Sequence, residues 1–251
     1  MTLRPGLILA FIVLAFLPYD PLADVGAMAA DLGAGPGHWL GTDHLGRDIL
    51  ARTRVGGRIV VLSGGLAMLV AGGLGVGLGA LAGWFGGLPA AALRALGGGL
   101  SAIPSLVLVV LACLAFGGGP LTLAIGCGFA SVPAVAEAVA GRLDALRREE
   151  FVVAARGHGI GNARIFLWHL LWVNTRRLVA RELGVTLTLL VVTEVTVAYL
   201  GAFGVPEPTV SWGNMLDHAL RSGCANPWSW GAPALATAAT VWATAPAEEP
   251  T

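Results

Sequence analysis

Residues 59–85 read IVVLSGGLAMLVAGGLGVGLGALAGWF, a run of 27 residues without a charged side chain. About 20 apolar residues are enough for an α-helix to cross the roughly 30 Å hydrocarbon core of a membrane. The run therefore predicts a transmembrane helix. Across the chain of 251 residues, 56% are hydrophobic and 12% are charged, with a mean hydropathy of +0.77. This composition is typical of a polytopic membrane protein and unlike that of a soluble domain. The predicted fold class is all-α.

The same reading predicts five more helices, which makes six transmembrane helices in total. The other predicted spans are 100–116, 121–139, 178–200 and, with shorter or interrupted apolar runs, 7–17 and 228–245. Because Arg4 precedes the run at 7–17 and the small residues Ala27 and Ala29 follow it, a cleaved secretory signal peptide is the alternative for that segment.

Two prolines inside the predicted spans indicate kinks. Pro104 lies in the span 100–116 and Pro133 lies in the span 121–139. Proline has no backbone N–H, so a carbonyl of the preceding turn loses its helical partner. Lipid cannot satisfy that carbonyl, and we therefore expect both kinks to face the interior of the helix bundle.

Glycines recur through the span 59–85. They include Gly65, Gly72, Gly73, Gly75, Gly77 and Gly79. They either allow neighbouring helices to approach closely, as small residues do in membranes, or reflect the ordinary enrichment of glycine in membrane helices. The sequence leaves both interpretations open.

The placement of the charges predicts the orientation of the chain in the membrane. All 15 basic residues are arginines, and eight of them lie between Arg142 and Arg181. Short basic loops stay in the cytoplasm, so this segment, with Arg94 and Arg4, predicts that both chain termini are cytoplasmic. A second group of arginines at 47–58 would then lie outside, which opposes this orientation.

Several kinds of chemistry are excluded by residues that the chain lacks. It holds no lysine, whereas a P-loop ATPase needs a lysine on the nucleotide phosphates and a Schiff-base enzyme needs a lysine amine. Its three cysteines do not have metal-ligand or disulfide-framework spacing. His158 and His169 lie eleven residues apart without a further ligand at helical spacing. We therefore predict no metal site, no catalytic residue and no enzyme.

The basic segment contains a glutamate, two alanines, a glycine and an aliphatic residue at a distinctive spacing. These residues are Glu150, Ala154, Ala155, Gly159 and Ile165. The pattern resembles the EAA loop of the membrane subunits of ATP-binding-cassette importers, through which such a subunit meets its ATPase. The resemblance implies that these residues, together with Arg156, couple the chain to an ATPase.

Three further blocks occur in the order found in one family of importers. They are GTDHLGRD at 41–48, Thr193-Glu194 with the later Tyr199-Leu200-Gly201, and PEPTVSWGNM at 206–215. With the EAA-like pattern, they make the chain similar to the second permease subunit of dipeptide, oligopeptide and nickel importers. The chain departs from that family by lacking its proline before Asn174 and its closing segment, and by carrying Glu137 where relatives tend to have an arginine.

The resemblance implies a type I importer permease fold with four successive stretches. These are a first helix and outer segment at 1–56, three helices at 57–141, a cytoplasmic coupling loop at 142–176, and two helices with an outer loop (201–227) at 177–251. The implied partners are a second permease subunit, a solute-binding protein and two ATPase subunits, which bind the ATP, so that this chain needs no cofactor. The expected cargo is a di- or oligopeptide, and nickel or a metal chelate is the alternative.

The resemblance also implies a surface that meets the solute-binding protein or the partner permease. The residues expected there are Gly41, Thr42, Asp43, Gly46, Arg47, Asp48, Ser211, Trp212, Gly213 and Asn214. From the residues themselves, the polar side chains of 42–48 are expected to cap and pin a short helix on the outer surface.

The local structure of the coupling loop follows from its composition. Helix formers at 143–156 predict one short helix, Gly157 and Gly159 predict a turn, and 164–172 predicts a second helix. Composition alone favours an amphipathic helix lying on the membrane surface, whereas the resemblance favours an ATPase contact with a rim of charged residues.

Glu194 is the acidic residue deep within the span 178–200. A carboxylate inside the membrane is a candidate functional group. We expect it to make a structural hydrogen bond to another helix, with the hydroxyls of Thr193 and Thr196 nearby, rather than to bind substrate. A proton-coupled secondary transporter that uses Glu194 is the alternative of a different class, although no internal repeat supports it.

Overall fold

The computed structural model describes residues 30–201, 204–223 and 225–245, together with Val13, Ala15 and Phe16. The predicted span 7–17 and the alternative signal peptide therefore lie largely outside the described residues. In chain order, the described elements are α1 Ile49–Phe85, α2 Gly87–Ser101, α3 Ser105–Phe116, α4 Pro120–Leu146, α5 Glu150–Gly157, α6 Asn162–Arg164, a π-helix at Ile165–Val173, α7 Asn174–Tyr199, α8 Trp212–Arg221 and α9 Trp228–Thr244.

The fold is all-α, as predicted. Within the ranges just given, β-type pairing is limited to two isolated bridges, between Gly35 and His38 and between Thr42 and Asp48. By length and apolar composition, α1 and α4 are each able to cross a membrane, and α2 with α3 adds a third span if the bent pair counts as one. The predicted spans 178–200 and 228–245 coincide with α7 and α9.

Helix α1 begins and ends at clear local signals. The Asp48 carboxylate accepts a hydrogen bond from the backbone N–H of Ala51 at 2.8 Å, which caps the first turn. The helix continues for 37 residues, about 55 Å, to Phe85. It stops at Gly86 and Gly87, whose φ angles of 64° and 49° belong to the left-handed region.

The predicted span 100–116 is broken rather than kinked. Helices α2 and α3 meet at an angle of 78° across residues 102–104. Pro104 is exposed, so the expectation that it faces the bundle interior is wrong. It comes just before α3, where a missing N–H removes no helical hydrogen bond and needs no shielding. Pro133 is buried inside α4, as expected.

The described chain forms two compact units. One comprises the described residues of 1–65, 109–124 and 188–245, and the other those of 66–108 and 125–187. The buried core of the second unit joins residues from α1, α4, α5 and the π-helix. It contains Ala71, Ala80, Val135, Val139, Leu143, Leu146, Val152, Ile165 and Leu170.

The glycines of α1 divide into two groups within this second unit. A Cβ atom placed on Gly75 would lie 2.6 Å from Val135 Cβ, and one on Gly79 would collide with the backbone carbonyl of Ala136. A Cβ on Gly73 or Gly77 would meet no atom within 4 Å. Close packing of α1 on α4 therefore explains the first pair, and glycine enrichment without packing describes the second.

The coupling loop differs from its predicted helices. The prediction of one helix over 143–156 is wrong, because α4 ends at Leu146 and α5 starts at Glu150. The side chain of Arg147 turns away to the end of α1 and donates to the carbonyl of Trp84 at 3.0 Å. The predicted helix at 164–172 is part of a longer helical stretch from Asn162 that runs through the π-helix into α7.

Candidate functional sites

The predicted coupling residues lie on a short helix and the turn that follows it. Glu150, Ala154 and Arg156 belong to α5 and are exposed, and Ala155 is half-buried. Gly159 is exposed with φ 78°, a conformation that glycine adopts without strain. Thus the predicted turn at Gly159 is present.

Ile165, the sixth predicted coupling residue, does not lie on this surface. It is completely buried in the core of the second unit, as is Val152 on the inner face of α5. Burial of two aliphatic side chains removes enough apolar surface to stabilise the attachment by about 3–6 kcal/mol. The segment is therefore anchored on the helix bundle, and Ile165 acts as an anchor.

Part of the exposed face of α5 is apolar. Phe151 is 44% exposed and Val153 is 67% exposed. Of the charged residues expected at its rim, Arg147 and Arg148 are occupied by Asp144, at 3.0 and 2.7 Å. Exposed apolar side chains on a fixed helix, flanked by charges, are suited to contact with another protein.

Glu194 lies in the first unit, where it joins α7 to the start of α8. Its side chain is 2% exposed. The backbone N–H of Gly213 donates to both carboxylate oxygens, at 3.2 and 3.1 Å. The Thr196 hydroxyl instead donates to the carbonyl of Val192. The structural hydrogen bond to another helix is thus present, with a helix N-terminus as the donor.

The start of α8 is held by its own residues as well. The Ser211 hydroxyl accepts from the backbone N–H of Asn214 at 3.1 Å, and the side-chain Oδ1 of Asn214 accepts from the backbone N–H of Ser211 at 3.0 Å. This reciprocal pair is a capping box. The buried Trp212 donates through Nε1 to the carbonyl of Thr53 at 2.7 Å. Sequence 211–214 therefore fixes α8 in place.

The polar residues of 42–48 are interior to the first unit. Thr42, Asp43, Arg47 and Asp48 are all buried. The Thr42 hydroxyl accepts from the N–H of Leu32 at 2.9 Å, and Arg47 pairs with Asp43 at 2.7 Å. The expected short surface helix is absent, because Asp48 caps the membrane-length helix α1 itself. These side chains shape the block, and they do not form its exposed surface.

A cluster of charges extends from this block to residues that the sequence did not single out. Glu207 lies 3.3 Å from Arg47, 3.3 Å from Arg52 and 3.2 Å from His218. The His218 ring stacks on that of His44, with centroids 5.6 Å apart. We refer to Asp43, Arg47, Arg52, Glu207 and His218 as the polar cluster. A lone glutamate between two prolines gives no periodic signal, so the sequence alone would not have revealed it.

The polar cluster shifts the titration of its members. Burial alone would raise the pKa of Asp43, but hydrogen bonds and charge from Arg47 hold that pKa below its ordinary value. Burial alone would also raise the pKa of Glu207, but the charges of Arg47, His218 and Arg52 hold that pKa below its ordinary value. Burial lowers the pKa of His218, against the attraction of Glu207. The acids of the cluster are therefore held in their charged form.

Comparison with known families decides the class of the protein. Residues 75–245 match the family described as binding-protein-dependent transport system inner membrane component. The chain belongs to this family. Its members are membrane permease components of ATP-binding-cassette transporters, with the type I permease fold, and they are not enzymes.

Several relatives of this permease carry names that specify peptide, oligopeptide or glutathione transport. The chain is 33% identical over 228 residues to a putative peptide permease protein of Brucella suis, covering 88% of this chain and 74% of the relative. It is 30% identical to the oligopeptide transport system permease protein OppC of Bacillus subtilis, covering 89% and 74%. It is 29% identical to the glutathione transport system permease protein GsiD of Pectobacterium atrosepticum, covering 84% and 71%.

The family membership settles several of the alternatives. A secondary transporter driven through Glu194 is set aside, since the permease belongs to a binding-protein-dependent system and the carboxylate is bonded to Gly213. The named relatives do not favour the nickel alternative. Among the described residues of the permease, no group of three His, Cys, Asp or Glu side chains is placed to hold a metal ion.

Proposed function

We propose that this chain is a permease subunit of an importer that carries di- or oligopeptides across the inner membrane. The observation that supports the cargo is the set of relatives, at 29–33% identity, whose names specify peptide, oligopeptide or glutathione transport. The chain contributes part of the path by which the peptide crosses the membrane, and separate ATPase subunits bind and hydrolyse the ATP. A second, similar permease and a solute-binding protein complete the assembly.

The coupling mechanism rests on the anchored helix α5. Its exposed face carries Glu150, Ala154 and Arg156, with Phe151 and Val153 beside them. Ala154 and Ala155 have small side chains, which allow close approach of an ATPase surface. Because Val152 and Ile165 are buried in the bundle core, a displacement of α5 by the ATPase would be passed to α1 and α4 rather than absorbed by a flexible loop.

The orientation follows from the coupling role. If α5 meets ATPases, it is cytoplasmic, and the six predicted spans would put both chain termini on that side. The block 41–48 and the segment 204–215 then face outward. Their buried side chains stabilise a rigid outer surface, on which exposed neighbours such as Trp39, 78% exposed, would contact the solute-binding protein or the partner permease.

Co-purification with the ATPase subunits of the same genome tests this proposal. Wild-type chain should retain them, and Gly159→Trp should lose them, because a tryptophan at φ 78° forces the turn after α5 to rearrange. Gly77→Trp is the matched control, since a Cβ at Gly77 also meets no atom within 4 Å but lies in α1. Absence of ATPase from every preparation, with the chain folded, would refute the importer role.

Peptide uptake tests the cargo separately. Cells that carry the complete importer should accumulate a labelled dipeptide in an ATP-dependent manner, and cells without this chain should not. Uptake of nickel without uptake of peptides would instead support the metal alternative.

A further inference from the structure

A large cavity in the second unit lies beside the coupling loop. It has a volume of about 580 Å³ and opens between the end of α1, helix α2 and the end of α4. Its walls are built largely of small residues, including Gly83, Gly86, Gly87, Ala140 and Gly141. The volume is in the range of sites for small organic ligands. Walls of this kind present backbone and little side chain, so they do not select for one shape of ligand.

Five charged side chains line this cavity, and three of them pair with one another. Asp144 pairs with Arg147 at 3.0 Å and with Arg148 at 2.7 Å, and Arg147 also donates to the carbonyl of Trp84. Arg94 and Glu137 are the remaining two. Within the described part of the chain, neither forms an ion pair or a side-chain hydrogen bond.

Glu137 reaches the helix that carries Arg94. A Cβ atom placed on Gly97 would lie 2.6 Å from Glu137 Oε1, so the carboxylate rests against α2 at that point. Arg94 precedes Gly97 by three residues, one helical turn, and lies on the same face of α2. The cavity is therefore lined by a carboxylate that rests at Gly97 and by an arginine whose backbone lies one turn earlier on α2.

We propose that this cavity binds the peptide cargo through its charged ends, with Glu137 facing the ammonium group and Arg94 facing the carboxylate. The inference rests on the proposed function and names the site for its substrate class. Opposite charges on a zwitterionic ligand compensate both side chains at once, and guanidinium–carboxylate pairs are strong and directional. The glycine and alanine walls accept varied peptide side chains.

The position of the cavity links binding to the ATPase. Arg147 and Arg148 line it and lie two or three residues before α5. A movement of α5 that pulls on Arg147 would also move the end of α1, where Gly83 and Gly86 form part of the wall. Cargo release and the nucleotide cycle would thus both act through Arg147.

Photolabelling of the purified permease–ATPase complex in nanodiscs tests the site without the solute-binding protein. The probe is alanyl-photoleucine, a dipeptide with a diazirine side chain. Label should map by mass spectrometry to residues 82–94 and 137–148. Glu137→Gln and Arg94→Gln should each reduce it about tenfold, the equivalent of one lost charge contact. Arg177→Gln, which removes an exposed charge from α7, should leave it unchanged.

Competition separates charge recognition from general affinity. Excess Ala-Ala should abolish the label, whereas N-acetyl-Ala-Ala-amide, which has neither charged end, should not. Label outside the cavity, no label in a complex that imports peptides, or equal competition by both dipeptides would overturn the site while leaving the importer intact. A wild-type complex that imports no peptide would refute the proposed function itself.

Discussion

The backbone N–H of Gly213 donates to both carboxylate oxygens of Glu194, at 3.2 and 3.1 Å. The bond joins a buried acid of α7 to the first turn of α8, where the helix dipole favours negative charge. The same turn is fixed by Trp212, which bonds to the carbonyl of Thr53. The carboxylate that the sequence predicts to make a structural hydrogen bond to another helix is thus used to hold α7 and α8 together.

Replacement of Glu194 distinguishes the structural role from a proton-carrying role. Glu194→Ala leaves the buried N–H of Gly213 without an acceptor and should lower the free energy of unfolding by about 1–3 kcal/mol. Glu194→Gln keeps an oxygen acceptor and should preserve peptide uptake within about twofold. Thermal denaturation and uptake assays measure the two effects. Loss of uptake in a stable Glu194→Gln variant would restore the proton-site interpretation.

Gly213 is expected to tolerate no side chain. A Cβ there would lie 2.6 Å from Glu194 Oε1 and 2.7 Å from Ala198 Cβ, so Gly213→Ala should separate α8 from α7 at a cost of about 1–3 kcal/mol. Gly231→Ala is the control, because the nearest atom to its Cβ is 3.8 Å away, on Trp228. The midpoints of thermal unfolding should differ clearly between the two variants. Equal midpoints would show that the 211–214 turn adapts.

The packing of α1 on α4 yields a second matched pair. Gly75→Ala places a methyl group 2.6 Å from Val135 Cβ and should destabilise the second unit by about 1–3 kcal/mol. Gly77→Ala, two residues away, meets no atom within 4 Å and should be neutral or slightly stabilising. Thermal stability in detergent compares them. Unchanged thermal stability of the Gly75→Ala variant would mean that α1 and α4 are farther apart at Gly75 than 2.6 Å from its Cβ to Val135 Cβ.

The sequence predicted elements wherever a long-range pattern or a strong local signal exists. The end of α1 at Phe85 follows from the glycines that stop the helix, whereas at Pro104 the sequence predicted a kink and the structure has a break. The break between Leu146 and Glu150 did not follow, because residues 147–149 are helix formers. Their helical preference is overridden when Arg147 binds the end of α1, more than 60 residues earlier. The polar cluster was missed for the same reason, since Glu207 meets Arg47 across 160 residues.

The polar cluster should make the protein less stable in acid. The folded pKa of His218 is below its ordinary 6.5, so the unfolded chain binds more protons there, and stability falls as the pH drops through and below 6.5. Asp43 and Glu207, also with lowered pKa, add to the loss at lower pH, where they become protonated. The unfolding midpoint should therefore decrease from pH 7.5 to pH 5.5.

His218→Gln should reduce that decrease, because the side chain that gains a proton is removed. Neighbouring charges are Glu207, Arg47, Asp217 and the stacked His44. His158→Gln removes an exposed histidine from the coupling segment and serves as the control. If both variants retain the full loss of stability between pH 7.5 and pH 5.5, another group is responsible.

Arg147 connects the ATPase-facing segment to the end of α1 and should affect coupling rather than assembly. Its guanidinium donates to the carbonyl of Trp84 and pairs with Asp144 at the same time, an arrangement that the single ammonium of lysine cannot reproduce. Arg147→Lys should therefore retain the ATPase subunits but transport fewer peptides per ATP hydrolysed. Arg148→Lys is the control, since the Arg148 side chain is 71% exposed and its guanidinium pairs with Asp144. Measured together in proteoliposomes, uptake and hydrolysis give the ratio directly. Loss of the ATPase from the Arg147→Lys complex would instead place Arg147 in the contact surface, and an unchanged ratio would mean that force reaches the bundle through the buried Val152 and Ile165.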